Sequence, residues 1–182
     1  MIKKILNPIA HFDEKILLAI GLVFVIINVI LGEIFGFRMG SILKFLPSSL
    51  SIIEQSLTVL KTLILTIAVF YGLGWLINKR TRIVDVVNTF LIGVIPSLLI
   101  APLSFIPYFK ETVMGVIDNP YAIDGLTLSK LMLLAIVSLP FAIVSIIIYY
   151  NGFKTSTHMK QWYHSVLFAL ALFIIPTLIQ FI

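Results

Sequence analysis

The chain has 182 residues, 60% of them hydrophobic and 12% charged, with a formal charge of +5 and a mean hydropathy of +1.13. Soluble domains run to about 45–50% apolar and about 25% charged residues, so this composition excludes an ordinary water-soluble domain. Cysteine is absent, which also excludes disulfides, thiolate metal sites and cysteine nucleophiles.

Five stretches carry no Asp, Glu, Lys or Arg: 16–32, 62–78, 86–109, 131–153 and 161–182, with lengths of 17, 17, 24, 23 and 22 residues. Each is close to the length a helix needs to cross a bilayer. The expected fold is all-α: a polytopic integral membrane protein, one domain over residues 1–182 built as a bundle of five transmembrane helices. The spans are expected near 16–32, 57–78, 84–106, 130–150 and 162–182.

The N-terminus, Met1 to Pro8, is basic and leads into an apolar run. That run continues to Leu31 and meets Gly32-Glu33-Ile34-Phe35 in place of a small-x-small cleavage site, so an uncleaved first span is expected. Asp13 and Glu14 read as first-turn residues of its helix. Five spans put eight basic and three acidic residues on the N-terminal side and five of each on the other, so the net charge of +5 sits on one face. By the positive-inside rule the N-terminus is expected in the cytoplasm and the C-terminus outside, in the cytoplasmic membrane. Topology then accounts for the pI near 9.5, and no nucleic acid is called for.

Residues 33–50 mix Phe35, Phe37, Phe45 and Leu46 with Arg38 and Lys44, a composition suited to a segment lying in the membrane interface. Ser51-Ile52-Ile53-Glu54 has the capping-box form and starts the second helix. Glu54, Thr58 and Lys61 share one face at its outer end and are expected to form an interfacial polar stripe with a snorkelling lysine. Asn78 to Arg82 is a short basic connection that allows only a helical hairpin.

The third span contains Pro96 and Pro102, and each proline removes a backbone donor and crowds the carbonyl four residues earlier, so a bent or early-ending helix is expected. Asp118-Asn119-Pro120 and Asp124-Gly125 are turn signals, and Tyr108 to Ile117 reads as a surface-lying element. Pro140 and Pro176 mark kinks in the last two spans, with Tyr150 to Thr157 a loop between them.

Signatures of chemistry are missing. There is no G-x-S-x-G, P-loop or glycine-rich phosphate cradle. His158 and His164 stand six residues apart, the wrong spacing for a zinc helix, and sit with Lys160, Trp162 and Tyr163 in a composition typical of a membrane interface. No enzyme, cofactor or metal is expected. The middles of the spans lack ionisable residues, which argues against an ion-coupled transporter. Asn28 and Asn88, among the deepest polar groups, are expected to hydrogen-bond between helices.

Leu6-Asn7-Pro8 with Phe12 before the first span, five spans, and Tyr150-Asn151-Gly152-Phe153-Lys154-Thr155-Ser156-Thr157 before the last together resemble the Yip domain family over nearly the whole chain. The resemblance implies a short, prokaryotic-type integral membrane protein. The longer N-terminal region that faces Rab-type GTPases in eukaryotic members is missing, so GTPase binding is not carried over.

The expected function is therefore that of a non-enzymatic membrane organiser or assembly factor whose partners are membrane lipids and a protein partner or second copy. Its cytoplasmic contact surface would comprise Asn7, Pro8, Lys79, Arg80, Arg82, Lys154 and Lys160. The alternative is a small transporter or permease component that binds a neutral or lipid-like substrate among helices shaped by Asn28, Asn88, Pro96, Pro140 and Pro176.

Overall fold

In the computed structural model, which describes residues 2–119 and 124–179, helix ends fall at capping residues, glycines and prolines. A short helix α1 (Ile2–Leu6) and a 3-10 turn at Pro8–Ala10 lead to α2 (Glu14–Phe35). The Asp13 carboxylate accepts the Lys15 N–H at 2.8 Å and so caps α2. At the other end Gly36 turns with φ 71°, a left-handed conformation that costs glycine nothing sterically.

The chain then forms an antiparallel hairpin, β1 (Phe37–Ser41) and β2 (Lys44–Pro47), before α3 (Ile52–Ile77). The capping box appears at the start of α3, where Glu54 accepts both the Ser51 N–H at 3.0 Å and its hydroxyl at 2.9 Å. The expected third span is broken into α4 (Ile83–Gly93), α5 (Ile95–Ile100) and a 3-10 turn at Ala101–Phe105. The breaks fall beside Pro96 and Pro102, as the missing backbone donors require. Helix α6 (Pro107–Asp118), α7 (Gly125–Thr157) and α8 (Trp162–Ile179) complete the chain.

Among the described residues four helices are long and apolar enough to cross a membrane: Glu14–Phe35, Ile52–Ile77, the broken Ile83–Leu103 unit and Gly125–Thr157. The fifth expected span corresponds to a shorter apolar helix, Trp162–Ile174. Polar and apolar side chains are arranged as in a protein whose surroundings are lipid. Ile53, Leu76, Ile136 and Trp162 are about 70–80% exposed, whereas Asn28, Gln55, Thr66, Asn88 and Ser145 are nearly or fully buried.

The core is built around α4, where seven consecutive residues, Asn88 to Val94, are buried. Helices α2, α3 and α7 surround it. Phe70 meets Phe90 at 4.6 Å between ring centroids, Phe90 stacks on Tyr149 at 5.2 Å, and Phe153 stacks on Phe168 at 4.9 Å. This aromatic cluster joins α3, α4, α7 and α8. Such pairs contribute about 0.5–1.5 kcal/mol each beyond the area they bury.

Two expectations about local structure are corrected. Residues 37–47 form a strand hairpin instead of following the all-α pattern, because buried helix side chains donate to its outward carbonyls, as described below. Residues 151–157 are helix and not loop. There the Ser156 and Thr157 hydroxyls bond back to the Gly152 and Phe153 carbonyls at 2.8 Å each, which removes their competition with the helical ladder. The helix stops at His158, in a left-handed conformation with φ 54°.

Asp124 caps α7, accepting the Thr127 N–H at 2.8 Å. The hydrogen bonds from Thr127 hold its carboxyl below the usual carboxylate range. Because the folded-state value is depressed, this cap is in force above the ordinary carboxylate pKa and weakens as pH falls through the folded value.

Close approach of α4 to α7 depends on Gly93, since a Cβ there would lie 2.2 Å from Tyr149 Cε1. Gly93→Ala is expected to cost about 1–3 kcal/mol through overpacking, read as a lowered melting temperature in detergent. Gly72→Ala, with nothing within 4 Å of its Cβ position, should be neutral or slightly stabilising. Equal melting of the two variants would refute this packing.

Candidate functional site

The hairpin packs one face of β1 and its turn into the bundle, whereas Arg38 and Lys44 are exposed and β2 is only partly covered. Phe37, Met39 and Ile42 are fully buried and Ser41 nearly so. Thr62, ten residues beyond the start of α3 and so about 15 Å along its axis, donates to the Met39 carbonyl at 3.3 Å. Deeper still, the Tyr149 hydroxyl donates to the Ile42 carbonyl at 3.1 Å. The Gln55 side-chain amide donates to the Phe37 carbonyl, and Asn28 Nδ2 meets Met39 Sδ at 3.4 Å. Gly32 permits this approach, because a Cβ there would collide with the Gln55 amide and the Phe37 carbonyl.

These bonds give the two strands different edges. Phe37 and Met39 pair with Pro47 and Phe45. Since the Phe37 and Met39 carbonyls point away from β2 to α3, both are non-hydrogen-bonded pairs, and the backbone groups of Phe45 and Pro47 point the other way. Pro47, which has no N–H to leave unmet, stands on this open edge, where a strand accommodates proline.

Beside that edge is a half-open cavity of about 470 Å³. The hairpin lines one side with Leu43 to Pro47, α5 contributes Ser97 and Ile100, and α7 contributes Leu134, Ser138 and Ala142. The broken third span shapes its floor. Ser97, at the start of α5, has its N–H satisfied by Ser145 Oγ at 3.2 Å, and the two hydroxyls meet at 2.8 Å. The groove therefore combines an apolar wall with the Lys44 ammonium, two serines and an open strand edge. That is the polarity of a site for an amphipathic molecule.

The N-terminal arm, the 78–82 connection and the end of α7 meet at the opposite end of the bundle. Asn7 and Thr155 exchange side-chain bonds at 3.1 and 3.3 Å, Asn151 donates to the Leu6 carbonyl at 3.0 Å, and Asn78 donates to the Thr157 carbonyl at 3.2 Å. Pro8 is buried and Asn7 partly so, which makes both structural in this arrangement. Lys79, Arg80, Arg82, Lys154 and Lys160 are exposed at the same end. Lys79 lies over the Trp75 ring and Lys154 over the Tyr150 ring, each at 5.8 Å. Arg82 pairs with Glu14 at 2.5 Å, with side chains 61% and 41% exposed, so the pair adds little stability.

Of the intramembrane positions, Asn28 supports the hairpin, and Asn88 donates to the Glu14 carbonyl at 3.0 Å. Pro96 starts α5, and Pro140 stands inside α7 without ending it. Pro176 falls in α8, with its side chain outside the described residues. The polar stripe of α3 that reaches the core is Gln55, Thr62 and Thr66, all buried, and not Glu54 and Lys61, which are exposed. Their helical spacing of seven and four was a legible signal. Among the described residues no cluster of three His, Asp or Glu side chains could hold a metal ion.

Fold and site together define a helical membrane protein with a strand hairpin packed against its helices through β1. No protein-family model, no curated protein and no solved structure matches the chain.

Replacing Gln55 with Leu leaves the buried Phe37 carbonyl without its partner, at an expected cost of about 1–3 kcal/mol. Amide exchange over residues 37–47 should accelerate in this variant, whereas Ser56→Ala, whose hydroxyl bonds only within its own helix, should leave it unchanged. Unaltered exchange in Gln55→Leu would mean that the hairpin is held by something else.

Proposed function

We propose that this chain is a non-enzymatic, multi-pass membrane protein that holds a lipid-like amphiphile in the groove beside the hairpin. The observation that carries the reading is the asymmetry of the hairpin: α3 satisfies one edge, and the other edge opens into a cavity. Non-helical backbone at this depth among apolar helices is tolerated where it is buried in protein or lines a cavity. The polar groups of the ligand would meet the strand edge, Lys44 and Ser138, and its apolar part would lie on Ile100, Leu134 and Ala142.

A second reading is favoured by the exposed Lys79, Arg80, Lys154 and Lys160 gathered at one end. In it that end is cytoplasmic and contacts anionic headgroups or a protein partner, as a membrane organiser would. The resemblance to the Yip domain family belongs with this reading.

Native mass spectrometry of the protein released from lipid nanodiscs separates the two. A stoichiometric small molecule should be retained by the parent chain and by a variant with Lys79, Arg80 and Arg82 changed to Gln, and lost when Ser138→Trp fills the groove. A parent chain that carries no such molecule, or one whose full complement of bound molecules survives Ser138→Trp, would refute the groove and leave the organiser.

A further inference from the structure

The N-terminal arm is tied to α7 and leaves a space between itself and the α4–α5 break. Three hydrogen bonds fix it to α7, two between Asn7 and Thr155 and one from Asn151 to the Leu6 carbonyl. The 3-10 turn at Pro8 then redirects the chain, with the His11 and Phe12 N–H groups both on the Pro8 carbonyl at 3.0 Å. Between arm and bundle is an apolar furrow of about 250 Å³, separate from the groove beside the hairpin. Ile5 and Phe12 line it from the arm, Ile92, Ile95 and Pro96 from the α4–α5 break, and Ile148 from α7, with Lys4 also in its lining.

The position of the furrow selects its occupant. Ile92 to Pro96 stand nine to thirteen residues into the unit that begins at Ile83, so the floor lies about 14–20 Å from its start. A ligand here must be apolar for that depth and polar only at the mouth. Lys4 and Lys15 are exposed at this end and, among the described residues, neither has a carboxylate partner, whereas Asp13 is engaged in capping α2 and Glu14 in pairing with Arg82. Lys4, in the furrow's own lining, therefore offers a cation at its mouth.

We propose that the furrow holds one acyl chain of an anionic phospholipid, with its headgroup phosphate at Lys4 and the arm clasped over the chain. The Asn7–Thr155 and Asn151–Leu6 bonds act as the clasp. Pro96 creates the space by breaking the helix, and the arm keeps that space from closing. This site is independent of the groove beside the hairpin.

The test uses the full-length chain in nanodiscs of phosphatidylcholine with a minor share of phosphatidylglycerol, released for native mass spectrometry. The parent protein should retain phosphatidylglycerol well above its share of the bilayer. Lys4→Gln should lower retention about fivefold, the share of one lysine near a membrane surface. Ile95→Trp should abolish it by filling the furrow, with Ile92→Phe as a milder filler if the first variant fails to fold. Asn151→Ala should weaken it by opening the clasp. Unchanged helical circular dichroism and melting would show that the folded bundle persists. Retention of phosphatidylglycerol only in proportion to its share of the bilayer, retention surviving a folded filled variant, or lipid-free dimers would each overturn the proposal.

Discussion

A stretch of extended backbone lies among apolar helices only where its hydrogen-bonding groups find partners or line a cavity, because an unpaired amide in apolar surroundings costs several kcal/mol. This constraint organises the structure. The hairpin Phe37–Pro47 sits in the bundle because Gln55 and Thr62 take carbonyls on one edge and Tyr149 takes the carbonyl at its tip. Tyr149 in turn can stand there only because Gly93 leaves room for its ring. The buried polar residues of α3 and the close α4–α7 contact are thus parts of one arrangement.

The break in the third span is the complementary device. Val94 interrupts the helix between α4 and α5, and Pro96 stands in the first turn of α5. This break frees the Ser97 N–H, which Ser145 satisfies. Two cavities follow, one between the hairpin, α5 and α7 and one beneath the N-terminal arm. Both have apolar walls, with Lys44, Ser97 and Ser138 in the lining of the first and Lys4 in that of the second.

Much of the helical framework could be read from the residues. Ser51 and Glu54 marked the start of α3, Asp13 the start of α2, and Pro96 and Pro102 the interrupted span, because caps and prolines act through bonds within a few residues of themselves. The hairpin was not legible. Phe37-Arg38-Met39-Gly40-Ser41 does alternate, but its partners lie in α2, α3 and α7, so a composition suited to the interface concealed a buried strand. The same reason hid the groove, which gathers Lys44, Ser97 and Ser138 from three separate segments. Asn7 and Pro8 were expected as contact residues, and in the structure Asn7 bonds to Thr155 of α7 while Pro8 is buried.

The sequence by itself determined the apolar helices, their caps and breaks, and the gathering of positive charge, since hydropathy, capping and proline sterics are local properties of the chain. Only the tertiary structure decided which polar residues face inward, that a hairpin would occupy the bundle, and where space remains beside it. Those outcomes depend on side chains separated by up to about a hundred residues, such as Tyr149 and Ile42, meeting so that buried backbone groups are satisfied.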